Sequence, residues 1–127
     1  MTYYINKTVD LPFDQAIEKV TNALKEEGFG VLTQIDLRET LKNKLDVDFR
    51  PYKILGACNP HFAYQALNSE NKIGTMLPCN VIVQQLEDQV EVAAVDPIAS
   101  MQAVENETLG ELATQVRAKL KRVIDSI

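Results

Sequence analysis

Tryptophan is absent from this chain of 127 residues, histidine occurs once and cysteine twice. Two cysteines are too few for the disulfide framework on which small secreted domains depend, and one Cys-x-x-His with a lone Cys matches no zinc-finger spacing. An excess of basic residues is also missing. The formal net charge is -5, which argues against a nucleic-acid partner, because such proteins need a basic footprint to displace phosphate counterions. No apolar run approaches the length of a membrane span, and Met1–Lys7 lacks the basic-then-apolar layout of a signal peptide. A cytoplasmic protein with no membrane partner is expected, and in a reducing compartment a permanent Cys58–Cys79 bridge is disfavoured.

What is present is the composition of an ordinary globular chain, with 46% apolar and 24% charged residues. The length suits one domain over residues 1–127, large enough to bury a core without staples. No repeat, low-complexity stretch or linker divides it. The cations Arg117, Lys119, Lys121 and Arg122 fall in the last turns of a predicted helix, where they suit the negative end of the helix dipole.

Hydrophobic periodicity outlines the elements. Tyr3 to Val9 alternates as a strand, and Phe13, Ile17, Val20 and Leu24 share one helical face that Gly28 terminates. Phe29 to Ile35 reads as a strand, and Asp36 caps a short helix over Leu37 to Leu45. After a polar connection from Asp46 to Arg50, Tyr52 to Ala57 is a compact strand. It runs into Cys58-Asn59-Pro60, where Asn is a favoured N-cap and Pro a favoured first helical residue. The following helix gives way to a polar loop from Asn68 to Lys72. Val81 to Leu86 and Val90 to Val95 form a hairpin about Glu87-Asp88-Gln89. Asp96-Pro97 repeats the cap-then-proline arrangement, starting a short helix through Met101. Leu109, Leu112, Val116, Leu120, Val123 and Ile127 lie along one face of a long helix that should cover the sheet.

Candidate chemistry gathers in two short segments, Ala57-Cys58-Asn59-Pro60-His61 and Leu77-Pro78-Cys79-Asn80. Cys58 sits at a strand end before a helix N-terminus, where free N–H groups and the dipole favour a thiolate. His61 follows by three residues, in the first helical turn. With Cys79 these would be three soft ligands, Cys58, His61 and Cys79, leaving a fourth position open as in catalytic zinc sites. Free cysteine is also among the most often buried residues, so a purely structural pair competes with that reading. Gly28-Phe29-Gly30 is no nucleotide loop, since it follows a helix whereas phosphate-binding glycines follow a strand.

Glu27-Gly28-Phe29-Gly30-Val31-Leu32-Thr33 with Ile35-Asp36, then Tyr52 to Pro60, Leu77-Pro78-Cys79-Asn80-Val81 and Val95-Asp96-Pro97, together resemble the bacterial and archaeal domain-of-unknown-function family 302 over nearly the whole chain. The resemblance implies an α+β fold: a curved antiparallel sheet backed by helices, TATA-binding-protein-like, in strand, helix, several strands and helix order. It implies that Cys58 and Cys79 approach each other across the sheet end. It also gathers Gly56, Cys58, Asn59, Pro60, Leu77, Pro78, Cys79 and Asp96-Pro97 in one candidate pocket, and it brings no established activity.

Three functional readings follow. The first is a small-ligand or metal-binding domain, with Cys58, Asn59, Pro60, His61, Pro78, Cys79, Asn80 and Asp96 around the ligand. A zinc-like soft metal would be held by Cys58, His61 and Cys79, with Asn59 and Asn80 orienting them, and the helix N-terminus also suits an anion. The second is an enzyme of thiol redox or sulfur-handling chemistry. The third is an interaction module, in its simplest form a homodimer formed through a strand edge.

Overall fold

The computed structural model describes residues 2–127. Its elements run β1 (Tyr4–Val9), α1 (Phe13–Glu26), β2 (Gly30–Asp36), α2 (Leu37–Leu45), β3 (Tyr52–Cys58), α3 (Pro60–Ser69), β4 (Cys79–Gln85), β5 (Val90–Val95), α4 (Pro97–Ser100) and α5 (Glu107–Asp125). The strands form one open antiparallel sheet in the order β1-β5-β4-β3-β2. This is the expected α+β arrangement of helices on an antiparallel sheet. Because the sheet is not closed, β1 and β2 each leave one edge unpaired, the feature on which the expectation of a second copy rests.

One face of the sheet builds the core. Leu55 and Ala57 of β3, Val81 and Val83 of β4, and Val90, Val92 and Ala94 of β5 alternate inward and are buried. Against them pack Ala16, Val20, Ala23 and Leu24 of α1 and Val116, Leu120, Val123 and Ile124 of α5. Each fully buried leucine or valine contributes roughly 1.5–3 kcal/mol from removal of apolar surface from water. The predicted faces of α1 and α5 are therefore the ones buried. On the opposite face, register sets Ile35, Ile54, Ile82 and Ala93 side by side across four strands.

Turn chemistry fixes how α1 delivers the chain to the site. Gly28 adopts a φ of 87°, a left-handed backbone that glycine takes without a Cβ penalty. Its N–H donates to the Lys25 carbonyl at 3.0 Å and that of Phe29 to the Leu24 carbonyl at 2.9 Å. This pair of bonds is the Schellman closure of a helix, with Phe29 packed in the same core as Leu24.

Two differences from the sequence reading concern boundaries. β4 begins at Cys79, two residues before Val81, because Cys79 pairs with Ala57 in register. The polar loop after α3 leads into a 3-10 turn over Ile73–Met76, anchored by Ile73, which is buried against Ala66, Leu109 and Leu112. Asn106 caps α5 through Leu109 N–H and also exchanges hydrogen bonds with Ser69 at 3.1 Å, tying the end of α3 to the start of α5. Among the described residues no helix is long and apolar enough to cross a membrane.

Candidate functional site

The two cysteine segments meet because β3 and β4 are neighbours. Register places Ala57 opposite Cys79 and Gly56 opposite Asn80, so Cys58 lies one residue along and diagonal to Cys79. Both thiols are free. Beside them, α3 and α5 diverge from the sheet and leave a cavity of about 260 Å³. Phe29, Leu32, Ala57, Phe62, Ala63 and Ala66 form one part of its wall, and Leu77, Met101, Leu109, Leu112, Ala113 and Val116 another. Cys58, Asn59, Pro78 and Cys79 complete it, with Pro97 at α4. None of these wall residues is charged.

Two backbone features shape the entrance. The β2–β3 register skips Leu32 between Val31 and Thr33, a bulge of the kind that re-aims side chains beside sites. Leu32 is consequently 68% exposed while still bordering the cavity. At Gly56 an added Cβ would collide with Thr33 Oγ1 and come within 2.8 Å of Pro78 Cγ. Glycine there lets Thr33 and Pro78 close over β3, which seats Pro78 in the wall.

Asn59 occupies the N-cap position of α3, yet its side chain makes no capping bond. This corrects the capping role expected from sequence. Instead Nδ2 donates to the Glu27 carbonyl at 3.4 Å, next to Gly28, where a Cβ would stand 3.2 Å from that nitrogen. Glu27 is in turn gripped from α5. Arg122 donates to both its carboxylate oxygens at 2.9–3.2 Å and Lys119 lies 3.8 Å away. The Arg122 hydrogen bonds hold the Glu27 carboxyl below its usual range.

Burial pushes the Cys79 thiol up to about 11, with the neighbouring Cys58 adding to the rise. It is thus a neutral thiol at physiological pH, a soft wall group rather than a nucleophile.

Four candidate residues, Cys58, Asn59, Pro78 and Cys79, come together, and four do not. Asn80 follows Cys79 by one position on a strand, so alternation turns it to the other face, where it borders a depression with Tyr3, Tyr4 and Tyr52. Pro60 and His61 are exposed on the first turn of α3 and do not border the cavity. Asp96 is buried, but Oδ1 accepts from Ile98 N–H at 3.0 Å and Oδ2 from Arg117 Nε at 2.9 Å. It caps α4 and ties it to α5. Among the described residues no three His, Cys, Asp or Glu side chains are grouped to hold a metal ion. The expected Cys58, His61 and Cys79 ligand set is therefore not assembled, because helix geometry turns His61 outward.

Phe62, Met101 and Ala113 also line the cavity and were not candidates from sequence. A small residue flanked by Leu112 and Val116 on the sheet-facing side of α5 was the available signal. The depression on the opposite sheet face is larger, about 420 Å³. It is a more open groove in which the Glu91 carboxylate is already engaged, accepting from Asn6 at 3.0 Å and from Gln84 at 2.7 Å. The smaller, walled cavity is the better site.

Comparison with known proteins identifies the family and the fold. The sequence profile of the family described as "Domain of unknown function DUF302" matches residues 5–127, and the chain belongs to that family. The crystal structure of an uncharacterized conserved DUF302 protein from Bacillus stearothermophilus superposes with a TM-score of 0.92 at 30% identity, covering 98% of each chain. No curated protein matches the sequence.

Proposed function

We propose that this protein binds a small, mainly apolar molecule in the cavity between the ends of β3 and β4 and helices α3 and α5. The observation that carries the reading is an apolar cavity of about 260 Å³, walled by residues of β2, β3, β4, α3, α4 and α5 and bordered by two cysteines. An apolar cavity of roughly 150 Å³ stays dry and accepts benzene. By that scale this one takes a molecule of about ten non-hydrogen atoms. The thiols contribute polarisable contacts to aromatic or sulfur-bearing groups.

The test is titration of isotopically labelled protein with ethylbenzene, followed by amide and methyl resonances. Saturable shifts confined to wall residues such as Ala63, Leu112 and Val116 support the reading. Shifts absent at the solubility limit of the probe, or spread over the exposed surface, would remove it.

A further inference from the structure

We propose that the cavity selects ligands carrying one hydrogen-bond donor, an alcohol, phenol or N–H group, and that Asn59 Oδ1 is the acceptor that selects them. The inference rests on the binding reading above and adds the chemistry of the ligand's polar end. Asn59 is the one carboxamide in a wall otherwise made of apolar residues and thiols, and it is only 8% exposed. Its orientation follows from its partner. A carbonyl can only accept, so the amide end facing Glu27 must be Nδ2. Gly28 packs against that same nitrogen, which leaves Oδ1 pointing the other way.

Among the described residues nothing donates to Oδ1, and the α3 N–H groups that it could have capped go unmet by it. No buried side-chain oxygen among those residues is sealed off without a partner. Oδ1 therefore opens on free space, and the free space that Asn59 borders is the cavity. A ligand with no donor would leave this acceptor desolvated and unpaired, which is costly, whereas one donor on an apolar body satisfies it. The absence of any charged wall residue restricts the choice to neutral donors.

The experiment pairs two compounds of matched shape, benzyl alcohol and ethylbenzene, against the wild-type protein, N59A and the near-isosteric N59L. Dissociation constants come from resonance titrations. Hydrophobicity differs between the compounds but cancels in the comparison of proteins. The ratio of the ethylbenzene constant to the benzyl alcohol constant should fall about fivefold from wild type to either variant, the fold-change of one neutral hydrogen bond. An unchanged ratio overturns the role of Asn59 while leaving the binding reading intact. Failure of both compounds to bind wild type removes that reading, and this inference with it. Should both variants be unfolded, nuclear Overhauser contacts in the wild-type complex decide. The hydroxymethyl group beside Asn59 supports the assignment, and its placement beside Leu109 overturns it.

Discussion

Partly filling the cavity should stabilise the protein and weaken ligand binding together, and Ala113→Leu is the sharpest way to do it. Ala113 lies on α5, is 4% exposed and borders the void. The substitution adds three carbons, which at the packing scale of a benzene-filled cavity occupy roughly 75 Å³. That is under a third of the 260 Å³ free, so the overpacking strain of a tight core does not arise. Burial of three methylene equivalents at ~0.8 kcal/mol each contributes about 2.4 kcal/mol. Loss of leucine rotamer freedom takes back roughly 0.5–1 kcal/mol. The net gain is about 1.5 kcal/mol, which for a chain of this size raises Tm by roughly 6 °C. Scanning calorimetry measures that gain, and the ethylbenzene titration should show affinity reduced at least tenfold. Gln115→Leu, exposed and outside the wall, serves as the control and should leave the titration unchanged. A destabilised Ala113→Leu protein, or one that binds ethylbenzene as well as wild type, would show that the cavity is closed in solution and refute the reasoning.

Three further outcomes are expected. Gly56→Ala forces a Cβ into Thr33 and Pro78 and should cost about 2 kcal/mol in urea unfolding, with Thr33→Ala in the same chain recovering part of the loss; a neutral Gly56→Ala would mean that Pro78 does not close over β3. Cys79, whose folded-state value of about 11 exceeds the unfolded one, contributes stability that is complete below about pH 8.5 and is lost as pH rises toward 11. The urea midpoint of wild type should thus fall relative to Cys79→Ser over that interval, and parallel curves would contradict the burial. Glu27, held below its ordinary value by Arg122, gives the opposite sign. Its contribution is present above the unfolded carboxylate range and lost as pH falls through the folded one, so Glu27→Gln should be less stable than wild type at pH 7, with the difference shrinking as the solution is acidified.

Most of the architecture was legible in the sequence because periodicity reports burial. The α1 face Phe13, Ile17, Val20 and Leu24 and the α5 residues Val116, Leu120 and Val123, with Ile127 just beyond the helix, pack on the sheet, while Leu109 and Leu112 pack on α3 and the 3-10 turn instead; Gly28 ends α1 with the left-handed φ expected of a terminating glycine. The site was half legible. Cys58 and Cys79 could be suspected of meeting because each stands at a strand end, but which neighbours point the same way depends on register. Asn80 follows Cys79 and is lost to the opposite face by one step of alternation. His61 follows Cys58 by three and is lost because the chain has by then entered α3, where one turn carries it to solvent. Asn59 presents the subtler failure. Its residue type at its position spells N-cap, yet the Glu27 carbonyl, brought within 3.4 Å by the α1 closure, takes the amide that no local pattern could assign.

The same low-dielectric wall that suits an apolar ligand works against thiol chemistry, and this separates the two readings that the cysteines first suggested. A nucleophilic or redox thiol needs its thiolate, and thiolates are favoured by cations, by helix N-termini and by access to water. No cation stands in the wall beside the part-buried Cys79; burial drives its thiol toward the neutral form and the neighbouring Cys58 pushes the same way. Reaction of native protein with iodoacetamide at pH 8 should therefore leave Cys79 unmodified while the denatured chain is alkylated at both cysteines. Occupancy by ethylbenzene should also slow any native reaction at Cys58, which borders the same space. Rapid native alkylation of Cys79 would reverse the argument, since it would require an aqueous, charge-stabilised cavity, and the apolar-ligand reading would then give way to the thiol one.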